Sequence, residues 1–231
     1  NAMALDRLWQ NSLLVASGYA AVWAKENTRA AIFDAIKRRE VYATTGSRIK
    51  VRFFSGWEFD ETDIHRPAML DIAYGTGVPM GGDLTKAKRG QVPKFLVIAA
   101  MDADGARLDR IQIIKGWMDK AGKSQEKVYD VAWSDNLKLD KRTGKLPAVG
   151  NTVDVENATY LNTIGAPQLS TYWEDPDFDR AERAFYYARV LEIPTPRWTT
   201  YDSAYFNVEL QEDVPSTIQD RAYTSPIWYT P

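Results

Sequence analysis

Few residues in this chain could do chemistry, and they are scattered. Glu174, Asp175, Asp177 and Asp179 lie in the run Trp173-Glu-Asp-Pro-Asp-Phe-Asp179, with carboxylates at alternate positions. That spacing imitates the first half of a calcium loop. The EF-hand pattern also needs glycine at its sixth position and glutamate at its twelfth. Arg180 and Tyr186 stand there instead. Two readings remain: an irregular calcium site drawing on Glu174, and a turn whose Asp side chains bond nearby backbone. The second is the plainer expectation.

His65 is the only histidine, so a catalytic triad or a histidine metal site has this one imidazole to draw on. It sits in Asp63-Ile-His-Arg-Pro67, a polar stretch ahead of a proline that reads as surface loop. With no cysteine, disulfides and thiolate metal sites are excluded. Gly75-x-Gly77-x-x-x-Gly81 has the wrong spacing for a nucleotide loop, is interrupted by Pro79, and precedes no helix that could hold a pyrophosphate. Thr44-Thr-Gly-Ser-Arg48 could offer hydroxyls and a guanidinium to an anion, or could simply turn a corner from helix to strand. Trp57, Trp117, Trp133, Trp173, Trp198 and Trp228 could stack on sugars if exposed on one flat face; burial in a core is the commoner use. Arg189 and Arg197 are expected to pair with nearby acids and pin a long loop.

These residues must be positioned by helices first and strands afterwards. Leu5, Leu8, Trp9 and Leu13 make an apolar stripe at helical spacing that Gly18 ends or bends. A second helix is predicted from Asn27 to Arg39, capped by Asn27 or Thr28, with Ala31, Ile32, Ala35 and Ile36 as its apolar face. Two such stripes cannot both be buried against each other, so they need a sheet or another partner. From Val41 the periodicity falls to two. Strands are predicted at Val41–Thr45, Ile49–Phe54, Phe95–Met101, Leu108–Lys115, Glu126–Trp133, Ala184–Ile193 and Pro226–Tyr229, the last as an edge. Phe95–Met101 is continuously apolar, as a strand covered on both sides would be, and Asp102-Ala-Asp-Gly105 suggests a hairpin joining it to Leu108–Lys115. Residues 134–183 read as a long ordered loop with a short strand near Thr152–Val155. The fold class is therefore mainly β, an antiparallel β-sandwich preceded by two helices.

The chain has 231 residues, 45% of them hydrophobic, and a formal net charge of -2. That is enough for a sizeable core, and the charge gives no general attraction to nucleic acid or acidic membranes. No stretch is apolar enough to be a membrane span. Asn1-Ala-Met3 reads as a tag scar, and the abrupt helical pattern that follows suggests a piece of a longer protein.

Glu26-Asn-Thr-Arg-Ala-Ala-Ile-Phe-Asp-Ala-Ile-Lys-Arg-Arg-Glu-Val-Tyr-Ala-Thr-Thr-Gly46 resembles the C-terminal part of bacterial proteins carrying "domain of unknown function 3604". The likeness continues in order through Gly77–Leu84, Leu108–Trp117, Val128–Trp133, Trp173–Asp179, Phe185–Trp198 and Thr224–Pro231. That family looks related to the polymerase-and-histidinol-phosphatase (PHP) metallohydrolases, whose distorted barrel holds two or three metals through histidines and carboxylates. The resemblance implies that residues 4–48 are the helical end of such a barrel and residues 49–231 an appended sandwich. It carries no metal ligand onto any position here, so divalent metals are expected only in a full-length parent. The partner it implies is the upstream barrel half, with self-association through exposed helix faces as a further expectation and a bacterial, exported parent as the setting. The functional expectation is a non-catalytic C-terminal portion of a metal-dependent hydrolase. The alternative is a binding module for a glycan or a protein, using its aromatics.

Overall fold

A computed structural model describes residues 14, 16–140, 142–210 and 212–231. The stripe at Leu5, Leu8, Trp9 and Leu13 lies outside them. The described chain starts with strand β1 (Tyr19–Val22), helix α1 (Arg29–Lys37), β2 (Val41–Thr44) and β3 (Lys50–Gly56). A 3₁₀ turn (Asp63–His65), α2 (Met69–Thr76), β4 (Gly77–Pro79) and β5 (Asp83–Thr85) follow. Next come β6 (Lys94–Ala100), β7 (Leu108–Met118), β8 (Ser124–Trp133), β9 (Gln168–Glu174) and β10 (Ala184–Glu192). The chain closes with β11 (Thr195–Pro196), α3 (Trp198–Phe206), β12 (Thr217–Ile218), β13 (Arg221–Thr224) and β14 (Ile227–Thr230).

Two sheets face each other across one core. In the larger, β8 pairs with β7 and β7 with β10. The other edge of β10 is shared: β13 takes its C-terminal half and β14 its N-terminal half. Beyond β13 lie β2 and β1; beyond β14 lies β5, in a parallel pairing. The smaller sheet runs β4-β3-β6-β9, antiparallel throughout. Val51, Phe53, Phe95 and Val97 of the small sheet pack on Ile111, Ile113, Tyr186 and Val190 of the large one. The rings of Phe95 and Tyr186 meet across the gap with centroids 4.7 Å apart. The fold is thus the expected mainly β sandwich, and the continuous apolar character of β6 has a simple cause. Phe95, Val97 and Ala99 face the central core, while Leu96 faces a second cluster with Phe54, Phe59, Ile64, Met69 and Ala73, supplied by α2 and its approach.

Several sequence expectations are corrected. β6 and β7 do not form a hairpin: the Asp102–Gly105 turn carries the chain from one sheet to the other. Local turn chemistry does not reveal which partner a strand finds. β14 is not an edge, since it is paired on both sides. Thr152–Val155 is not a strand; Asp154 and Thr159 make only an isolated bridge. The long loop ends earlier than expected, because Gln168–Glu174 is a strand of the small sheet. Residues 19–22, placed by sequence in a helical segment, are a strand of the large sheet and pair with the predicted strand at 41–44. The rest of the loop packs as an ordered excursion, with Val149, Leu137, Tyr160 and Ile164 closing on Ala106 and Ile193.

Candidate functional site

The acidic run at the end of β9 is neutralised from within. Asp175 is 1% exposed, pairs with Lys115 Nζ at 2.6 Å, and accepts the Tyr186 hydroxyl at 2.7 Å. Lys115 Nζ also donates to the Asp177 carbonyl at 2.7 Å. The Asp177 carboxylate accepts from Lys127 Nζ at 2.5 Å and from the Tyr129 hydroxyl at 2.6 Å. Lys127 foremost holds its pKa below the ordinary carboxylate range. Asp179 accepts the Ala181 N–H at 2.9 Å and pairs with Lys120 at 3.3 Å. Glu174 accepts the hydroxyl of Tyr172. Asp175 Oδ1 accepts the Asp177 N–H at 2.9 Å, the local turn bond that sequence suggested. Each carboxylate of the calcium-like run therefore has a protein donor. Burial, followed by the charge and hydrogen bond of Asp175, drives the Tyr186 pKa far up. His65 is exposed on the 3₁₀ turn. Among the described residues no group of three or more His, Cys, Asp or Glu is placed to hold a metal ion.

In the hydroxyl-rich corner after β2, Thr45 is spent on a carboxylate. Thr45 Oγ1 donates to Asp220 at 2.6 Å and accepts the Arg221 N–H at 3.0 Å. The Arg48 N–H donates to Asp102 at 2.7 Å. This is a corner bound to acids, not a nest open to an anion. Behind Ser47 lies Glu192, 1% exposed. The alternation of β10 buries residues 184, 186, 188, 190 and 192, so Glu192 occupies a core-facing position. Its Oε1 and the Ser47 hydroxyl both lack a hydrogen-bond partner. Burial raises the Glu192 pKa to about 8; nearby Ser47 offsets this in part, and Asp220 and Asp102 add to it.

The long loop is pinned by a residue that sequence reasoning missed. Leu191 pairs with Arg110 and Glu192 with Leu108, leaving Asp109 as the extra residue of a β-bulge. The bulge breaks the alternation that would send neighbouring side chains to opposite faces. Asp109 and Arg110 therefore meet, with Nε 3.1 and 3.0 Å from the two carboxylate oxygens. Arg110 also donates to the carbonyls of Leu146 at 3.4 Å and Pro147 at 2.6 Å, holding the loop over a cleft of about 280 Å³. Burial raises the Asp109 pKa, and Arg110 opposes the rise. Among the described residues, Arg110 is the arginine that holds the loop carbonyls at 146 and 147. Arg189 donates to Gln112 at 2.8 Å, and Arg197 donates to Thr199 and to the Leu14 carbonyl. A charge inside the run Leu108-Asp-Arg-Ile-Gln-Ile-Ile-Lys115 was the available signal, because a buried charge in a strand requires a partner.

The two short glycine spacings are packing devices. A Cβ on Gly77 would come within 2.3 Å of the Phe59 ring, and one on Gly81 (φ 82°) within 2.2 Å of the Arg39 carbonyl oxygen. Of the six tryptophans, only Trp228 is exposed, so they form no common platform. Trp57, Trp133 and Trp198 each donate their indole N–H to a backbone carbonyl.

The surface beside α1 exposes apolar groups to water. Thr28 caps the helix by accepting the Ala31 N–H at 3.3 Å. Of the predicted apolar face, only Ala35 is buried; Ile36 is exposed and so is Phe33, at 62%. An adjoining cleft of about 630 Å³ is lined by Trp23, Arg38, Glu40, Arg52 and Tyr74, among others. The Arg52 guanidinium lies 3.6 Å over the Trp23 ring and donates to the Tyr74 hydroxyl at 3.1 Å. Tyr74 in turn donates to buried Glu40, which also pairs with Arg38 at 3.3 Å. Burial, with the Glu40 carboxylate, pushes the Tyr74 pKa up to about 12.

Fold and sites together define a β-sandwich domain whose buried charged groups are mostly paired internally and whose first helix shows an uncovered apolar side. The chain belongs to the family described as "Protein of unknown function (DUF3604)", which matches residues 3–231. Neither the curated proteins nor the solved structures gave a significant match.

Proposed function

We propose that this chain is the C-terminal, non-catalytic β-sandwich portion of a PHP-like metal-dependent hydrolase, docked through α1 onto the half that carries the chemistry. The observation that supports this most is the apolar side of α1, where Ile32, Phe33 and Ile36 line an open surface beside the Trp23–Arg52–Tyr74 cleft. Water-facing aromatic and aliphatic groups clustered on one helix mark a contact surface.

The residues of this chain do not suit a cluster of two or three divalent metals. Its one histidine stands alone, and the acids at 174–179 are each engaged by a lysine, a tyrosine or a backbone N–H. The metal ligands in this reading lie in the partner half, where a bound metal would supply an activated water.

The test compares this chain with the full-length protein, both purified without chelators. Metal content is measured by mass spectrometry and phosphoester turnover with added manganese or zinc. Metal and turnover in the full-length protein alone are the expected result. Stoichiometric metal in this chain, or a fully metallated parent that hydrolyses no ester, would overturn the assignment.

A further inference from the structure

Helix α3 has its chemistry turned inside out. Its buried positions are Thr199 and Thr200, with Ser203 half-buried, while Tyr201, Tyr205 and Phe206 face water. The hydroxyls anchor it: Thr200 Oγ1 donates to the Ser216 carbonyl at 2.6 Å, and Ser203 Oγ to the Val208 carbonyl at 2.6 Å. Asn207, left-handed at φ 51°, ends the helix and leaves Val208 exposed beside it. Tyr205 is 83% exposed and Phe206 64%. A surface helix ordinarily buries its apolar face and wets its polar one. Here the order is reversed, and the aromatics cluster on the outside.

Apart from the buried Arg197 at its N-cap, the charge in this helix and the residues that follow it has a single sign. Residues 198–219 contain Asp202, Glu209, Glu212 and Asp213 and neither Lys nor Arg. Residues 146–166, part of the long loop, contain Asp154 and Glu156 and again no base. A cleft of about 370 Å³ lies between the two segments, with Val155 and Glu156 on one wall and Ala204, Val208 and Glu209 on the other. Asp202, Glu209 and Glu156 are exposed and make no ion pair among the described residues. The concentration is local, because the whole chain is nearly balanced at a net charge of -2.

We propose that this end of the sandwich is a docking site for a cationic peptide segment of a partner protein. Lys or Arg side chains would lie on Tyr205 and Phe206 and pair with Asp202, Glu209 and Glu156. The aromatic geometry suits this occupant better than a sugar. The Tyr205 and Phe206 rings meet edge-on, with an interplanar angle of 87°, so they offer no flat platform. An anionic membrane or a nucleic acid would be repelled by the carboxylates. The site is independent of the metallohydrolase reading and stands or falls separately.

The test is fluorescence anisotropy with a labelled decapeptide of alternating Arg and Gly residues, titrated with this chain at moderate salt. Three double variants accompany the wild type: Tyr205→Ser with Phe206→Ser, Asp202→Asn with Glu209→Gln, and a control, Glu61→Gln with Asp71→Asn, that removes two exposed acids elsewhere. All the substituted side chains are exposed, and circular dichroism melts check that each variant folds. Saturable binding weakened about tenfold by each site variant and unchanged in the control is the expected result. No saturable binding, or equal weakening in site and control variants, would overturn the proposal. So would self-association in light scattering that the Tyr205/Phe206 variant abolishes while peptide binding persists, since a second copy would then be the occupant.

Discussion

Glu192 shows what one buried residue does to the whole. The period of β10 places its carboxyl on the core face, and no cation among the described residues pairs with it. Desolvation makes the neutral form the stable one, with a folded pKa of about 8 against an ordinary 4.5. Between those values the folded state binds the proton more tightly than the unfolded state. The stability contributed by the neutral carboxyl is therefore complete below about pH 4.5 and is lost as pH rises to about 8. Glu192→Gln is expected to stabilise the chain at pH 8 by about 1 kcal/mol or more and to flatten the pH dependence across this window. Denaturant titrations from pH 5 to 9 measure this. Parallel curves for the two proteins would show that Glu192 does not titrate there.

At the scale of elements, the bulge at Asp109 decides the fate of a long loop. A regular β7 would aim Asp109 and Arg110 apart; the bulged strand brings them together and turns the guanidinium to the Leu146 and Pro147 carbonyls. Arg110→Leu would remove those bonds and leave Asp109 buried with only Gln219 as a donor, at 3.2 Å. A loss of about 3 kcal/mol follows from an uncompensated buried charge, and limited proteolysis should cut first among residues 142–150. Cleavage no faster than in the wild type would mean that the small cluster around Val149 and Ile193 holds the loop unaided. Helix α1 is the converse case. Phe33→Ser and Ile36→Ser touch exposed positions and should change the stability of this chain by no more than about 0.5 kcal/mol, while weakening its binding to the proposed partner half. A calorimetric titration of the two halves reads both arms. Undiminished binding would remove α1 from the interface.

Across the described residues, the two sheets are joined by apolar packing and by a buried ion pair. Lys115 extends from β7 of the large sheet, and Asp175 follows β9 of the small one, with Tyr186 of β10 closing the triad. Pairs of this kind contribute little over well-packed apolar groups, yet removing one partner strands the other charge. Lys115→Met should therefore cost about 3–5 kcal/mol. Combining it with Asp175→Asn should recover part of that loss, because the orphaned charge is gone. Chemical denaturation of the single and double variants checks the order, and a double variant no more stable than the single one would show that packing, not charge, sets the cost.

How much of this was legible beforehand depends on whether the governing interaction is local. The α1 cap at Thr28, the alternation of β3 and β10 and the doubly covered apolar run of β6 arise from periodicity and near neighbours, and they stand in the sequence. So does the Asp-turn chemistry at Asp175 and Asp179, whose bonds reach only two residues along the chain. Strand partnership does not. That β6 leaves β7 for the opposite sheet, and that β14 takes β5 in parallel, depends on contacts distant in sequence. The same holds for the charges. Lys115, Arg110 and Glu192 announce themselves as polar intruders in apolar strands, but only the tertiary structure shows that the first two find acceptors far along the chain and that no cation among the described residues pairs with the third. Burial is a property of the assembled sheets, and it decides whether a charge is paired, raised in pKa or left facing water.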